Sequence, residues 1–253
     1  MSSILDNPVG VFAIALLTQW IAALTGDYLR RRGRPVRKEE REDIDTVQAA
    51  MLTLLALIIG FSFAMAVTRY DLRKTYEEAE ANAIGTEYVR ADVLPANDAA
   101  GVHDLLKKYL DQRILFYQTR DRRRIDAIGA DTASLQTALW SAVLPAANMQ
   151  PTPITALAVS GMNDVLNSQA RTQGAWWNRI PAAAWGLMGL IAIACNVMLG
   201  YSEHRTRAVL LLVLPIVVSI SLLLIADIDS PRGGLIRVVP ENLISLAQSL
   251  KAR

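Results

Sequence analysis

Residues 7–26, 46–68, 180–202 and 208–226 of this chain are apolar stretches that contain no Asp, Glu, Lys or Arg. A helix needs roughly 20 apolar residues to cross about 30 Å of hydrocarbon, and each stretch is of that order. The pattern predicts an all-α membrane protein with four transmembrane helices, about 8–25, 46–68, 180–201 and 208–226. These form two hairpins, 1–68 and 180–227, with a helical extramembrane domain at 69–179 and a C-terminal turn and amphipathic helix at 228–253. The first ten residues hold no Lys or Arg, so the first stretch is read as a retained anchor and not as a cleavable leader. The expected location is the inner (plasma) membrane, with the bilayer itself as the principal partner.

Local signals refine the elements. Pro8 suits a first helical turn and Gly26 a stop. Gln19 is the one strongly polar residue inside the first helix; it either faces another helix or lies near the interface. From Thr46 to about Leu94 there is no proline, which predicts one long helix leaving the bilayer near Arg69 and continuing to Pro95. Asn97 or Asp98 is a candidate cap for the next helix. There Val102, Leu105, Leu106, Tyr109, Leu110, Phe116 and Tyr117 recur at helical spacing, with Arg113 the polar exception on that face. A further helix starts in the basic run Arg120 to Arg124 and ends at Pro145, and another covers about Thr155 to Gln173. Pro215 is expected to kink the fourth span. The segment from Glu241 to Leu250 is expected to form a terminal helix.

Lys and Arg in short loops set orientation. Residues 27–45 hold Arg30, Arg31, Arg32, Arg34, Arg37, Lys38 and Arg41, and residues 203–207 add Arg205 and Arg207. Both loops are therefore expected in the cytoplasm, with the termini and central domain outside.

Three constellations bear on function. Glu80 and Glu87 lie seven residues apart on the long helix, with Glu77 close to the same face. They either ring the vestibule of an ion path or sit on a solvated face. Asp227 and Asp229, ahead of Gly233 and Gly234, either hold a hard cation or belong to a capped turn. Gly60, Phe61 and Ser62 lie in a run of small residues that either packs against a neighbour or lines a narrow path. The single Cys195 and the distant pair His103 and His204 offer no zinc-type cluster. No catalytic motif, P-loop or dinucleotide-binding glycine pattern is present, so neither an enzyme nor a cofactor is expected. A net charge of +2 argues against a nucleic-acid partner.

The segments G-F-S-F-A-M-A-V-T-R-Y-D-L-R-K and E-A-N-A-I-G-T-E-Y-V-R-A-D-V-L-P, and the tail D-S-P-R-G-G-L-I-R-V-V-P-E-N-L, resemble the bestrophin-like family of bacterial membrane proteins. Asn82, Gly85, Tyr109, Arg113, Trp140, Asp229, Pro231, Gly234 and Pro240 stand at the positions carrying that resemblance. It implies a homo-oligomer and an analogy to bestrophins, which are pentameric anion channels with a hydrophobic neck on the second membrane helix and an acidic calcium clasp. Neither of those motifs maps residue by residue onto this chain. The expected function is an oligomeric ion channel with helix 2 lining the path and inorganic ions as partners. The alternative is a non-conducting membrane-anchored sensor or scaffold acting through the extramembrane domain.

Overall fold

The computed structural model describes residues 6–33, 38–149, 151–202 and 210–252. Among these, the helices are α1 (Pro8–Arg32), α2 (Lys38–Arg90), α3 (Ala96–Gln118), α4 (Arg122–Met149), α5 (Pro153–Trp177), α6 (Ala182–Ser202), α7 (Val213–Asp229) and α8 (Glu241–Lys251). Short 3-10 turns occupy Ala91–Val93 and Leu210–Leu212. The chain divides into two compact units, residues 1–69 with 179–237 and residues 70–178 with 238–253.

Among the described residues, three helical stretches are long and apolar enough to cross a membrane: Pro8–Arg32, Glu40–Val93 and Pro153–Ser202. This overturns the expected four spans arranged as two hairpins. Helix α7 has only 17 residues and is not one of the three, and Pro215 falls in its first turn. There the missing N–H breaks no helical bond, so the expected mid-helix kink is absent. The pairing is not that of hairpins either: α1 packs along both α6 and α7, while α6 and α7 barely touch. The expected cytoplasmic loop 203–207, and residues 34–37 of the basic loop, lie outside the described residues.

In the first unit the packing of α1 explains two residues. Gly26 does not stop the helix, which continues to Arg32; it is a point of close approach to α6. Gln19 faces its neighbours. Asn196 Nδ2 on α6 donates to Gln19 Oε1 at 3.1 Å, and Gln19 Nε2 donates to Ser219 Oγ on α7 at 3.3 Å. All three side chains are buried, so these contacts supply partners where lipid would offer none.

In the second unit α3 packs on α4, α4 on α5, and α8 on α3. The core gathers Ile84, Leu106, Tyr109, Leu139, Met162 and Leu243. Every expected apolar position of α3 is buried or partly buried, and so is Arg113. Helix α4 does not end at Pro145 but carries it inside and runs on to Met149. Helix α3 begins after Pro95 with no side-chain cap, so neither Asn97 nor Asp98 serves. Thr152 caps α5 in a reciprocal capping box with Thr155.

Candidate functional site

The 53 residues of α2 span about 80 Å, far more than a bilayer needs. Each unit packs one side of this helix and leaves another free. In the first unit Val47, Ala50, Leu54, Leu57, Phe61, Ala64 and Thr68, three and four residues apart, are exposed. Gly60 and Phe61 are on the open side, where a Cβ on Gly60 would meet nothing within 4 Å. Ser62 is turned inward and buried. Beside Gly60 lies an apolar groove of about 440 Å³, lined by Leu55, Ile59 and Phe63 of α2 and by Leu214, Val218 and Leu224.

In the second unit Asp71, Thr75, Glu78, Asn82 and Val89 are exposed, while Arg73, Glu77, Glu80, Ile84, Glu87 and Ala91 point into the core. Glu80 and Glu87 do share a face, and it is the buried one. Glu80 receives Arg113 Nε in a short contact, and Thr172 Oγ1 donates to its Oε2 at 3.1 Å. Arg113 Nη2 and the Tyr117 hydroxyl lie at 3.4 Å from the same oxygen. This carboxylate ties α2 to α3 and α5. Burial pushes the Tyr109 and Tyr117 phenols well above their usual range, and the Glu80 charge adds to it. Burial alone opposes the Arg113 charge, but Glu80 beside it outweighs that and holds the guanidinium protonated.

Glu77 accepts the Leu243 backbone N–H at 2.9 Å and Asn242 Nδ2 at 2.6 Å. It thereby supplies from α2 the cap that the start of α8 lacks in its own sequence, since Pro240 has no side-chain donor or acceptor. Gly85 receives Leu246 of α8, whose Cδ1 would lie 3.1 Å from a Cβ there. An open cleft of about 620 Å³ runs between these helices past Asn82, Thr86, Arg90 and Ser245. Trp140 of α4 packs partly buried against the same core as Tyr109.

Asp227 and Asp229 are both buried at the end of α7. Asp227 accepts the Leu235 and Ile236 backbone N–H groups at 2.7 and 2.8 Å. Gly234 lies so close that a Cβ would sit 2.3 Å from the Asp227 carbonyl oxygen. Asp229 accepts the Ile180 N–H at 3.2 Å and lies 3.7 Å from Arg69 and 3.9 Å from Arg179. Arg179 also pairs with Asp6 at 2.5 Å. With backbone N–H groups donating to both and two guanidinium groups near Asp229, the aspartates staple the turn that contains Pro231. Among the described residues, no group of three or more His, Cys, Asp or Glu side chains is placed to hold a metal ion.

Sequence reasoning missed Tyr117, Thr172, Asn242, Arg69 and Arg179 as partners of these carboxylates. Thr172 and Tyr117 carried a readable signal, a polar group on the apolar side of an amphipathic helix. Arg69 was read only as the point where the long helix leaves the bilayer.

Residues 14–243 match the bestrophin-like domain family. No curated protein matches the chain. Among solved structures, a bacterial bestrophin homologue from Klebsiella pneumoniae, carrying a point mutation, superposes with a TM-score of 0.67 at 11% identity. That match covers 97% of this chain and 98% of the other. A second point mutant of that homologue gives a TM-score of 0.63 at 12% identity, covering 96% and 98%. At such identities the likeness is one of fold.

Proposed function

This chain belongs to the bestrophin-like family, and from that premise we propose that it is an oligomeric ion-conducting membrane protein whose α2 lines the path. Family membership sets it among membrane proteins and apart from enzymes. The observation that supports the reading is the free side of α2. It is apolar around Leu57 and Phe61 and polar at Asp71, Thr75, Glu78 and Asn82. An apolar ring formed by copies of Phe61 acts as a constriction that dewets, and a polar surround attracts or repels ions. Gly60 and Phe61 keep the pore-facing role read for them from sequence. Ser62 does not, because it is buried within its own chain. The vestibule role passes from Glu77, Glu80 and Glu87 to the exposed Asp71 and Glu78.

Ion flux into liposomes, with cation and anion gradients applied separately, tests this. Phe61→Ala should raise flux several-fold, and Glu78→Gln should change the ratio of cation to anion flux. Silence under both gradients, from protein shown to be folded and inserted, would defeat the channel reading and leave the non-conducting sensor or scaffold.

The Arg and Lys count puts the 27–45 loop in the cytoplasm and the unit containing residues 70–178 on the far side. Residues 238–253 belong to that same unit. A reporter fused after Arg253 should therefore be active outside the membrane, and an internally active fusion reverses the orientation.

A further inference from the structure

Glu87 is the third carboxylate on the buried side of α2 in its unit, and it differs from the other two. Its side chain is 0% exposed, yet neither oxygen has a hydrogen-bond partner among the described residues. It is seated against α5 at Gly161. A Cβ on that glycine would lie 1.9 Å from Glu87 Oε2 and 2.7 Å from Arg90 Nη1, so the absence of a side chain is what admits the carboxyl group.

A charged carboxylate without donors is strongly disfavoured in such a place, whereas a protonated one presents a nearly neutral surface. Burial pushes Glu87 up to about 8; Arg90 opposes this and Asp164 on α5 adds to it. Arg90 lies on the same helix, 4.0 Å from Asp164. Asp92 of the 3-10 turn is 3.3 Å from His103, Arg113 of α3 engages Glu80, and Asn242 of α8 engages Glu77.

We propose that Glu87 is the proton-binding group of a latch between α2 and α5. With its proton the carboxyl stays seated against Gly161; on losing it, the anion leaves the seat for water or Arg90 and the α2–α5 contact loosens. The sign follows from linkage. The folded state holds this proton more tightly than the unfolded chain, so stability is greatest below the unfolded value near 4.5. It then falls as pH rises toward about 8 and levels off above that.

The test is thermal and denaturant unfolding of the full-length protein in detergent or nanodiscs, from about pH 5 to about pH 9.5, for wild type and Glu87→Gln. The amide keeps the neutral shape. The difference between the two curves should grow by up to about tenfold in the unfolding equilibrium constant per pH unit, then level off above about pH 8. Hydrogen-exchange protection around Gly161, corrected for the intrinsic rate, should follow the same course. Asp164→Asn should move the midpoint to lower pH and Arg90→Gln to higher pH. Parallel curves for wild type and Glu87→Gln would overturn the proposal. Should Glu87→Gln fail to fold, an unmoved midpoint in Asp164→Asn would overturn it equally. Neither readout involves ion flux, so a silent flux assay leaves the latch standing and a failed latch leaves the channel reading intact.

Discussion

Arg113→Ala should cost the unit formed by residues 70–178 and 238–253 about 3–5 kcal/mol, the usual penalty for removing one partner of a buried ion pair. Arg113 is 1% exposed and Glu80 0%, so nothing from solvent can replace the lost guanidinium. Thr172 and Tyr117 would still reach Glu80, but two hydroxyl donors do not neutralise a carboxylate held away from water. Arg113 also lies 4.5 Å over the Phe116 ring, which in turn packs at 4.9 Å from Trp176, so the truncation opens space beside an aromatic cluster. Against a typical total of about 5–15 kcal/mol, this loss is a large fraction. Glu80→Ala should cost a similar amount, because it leaves the Arg113 guanidinium buried without its carboxylate. The double variant Glu80→Leu with Arg113→Met should recover most of the loss, because two well-packed apolar groups can replace a buried pair. Denaturant unfolding followed by tryptophan fluorescence, with Trp176 beside the pair, measures all three. An Arg113→Ala protein within about 1 kcal/mol of wild type would show that the pair does not hold the unit together.

That pair also shows what a sequence can and cannot reveal. The long uninterrupted run of α2 was legible because no proline or turn signal breaks it before Pro95. The amphipathic face of α3 was legible too, with Arg113 standing out as the one charge on it. Its meaning was not, since the answering carboxylate lies 33 residues away and Thr172 lies 92 residues from Glu80. Periodicity grouped Glu80 with Glu87 but is blind to which side of a helix meets a core. Glu78, two residues from Glu80, is the carboxylate that faces out. The fourth span was overread for a related reason. Freedom from charge over 208–226 measures what lipid would tolerate, whereas the described helix α7 begins only at Val213 and is carried by its contacts with α1. The two aspartates after it were plausible cation ligands by composition. Their backbone N–H partners, and the two arginines 3.7 and 3.9 Å from Asp229, lie too far along the chain for spacing to reveal.

Glycine was the other ambiguous letter, and it carries the second large effect. Gly26 of α1 and Gly200 of α6 interlock. A Cβ on Gly26 would lie 2.0 Å from the Val197 carbonyl oxygen, and a Cβ on Gly200 would lie 2.0 Å from that of Ala23. The atoms in the way are backbone, so no rotamer change relieves the clash and the helices themselves must separate. In a bilayer, where helices associate through close packing and polar contacts, that separation removes much of what holds α1 to α6. It would also pull Gln19 from Asn196, breaking the buried amide contact that joins α1 to α6. Gly26→Leu and Gly200→Leu should each cost about 3 kcal/mol or more, and even Gly200→Ala should be clearly destabilised. Gly186→Ala and Gly189→Ala supply the control: they lie on the same α6, yet a Cβ at either meets nothing within 4 Å. They should be neutral or slightly stabilising, since alanine favours a helix over glycine by about 1 kcal/mol. Thermal melts in detergent, read through Trp20 and Trp185, compare the four sites. If Gly200→Ala melts with Gly186→Ala, then α1 and α6 do not meet at these glycines, and the arrangement of the membrane unit around α1 is wrong.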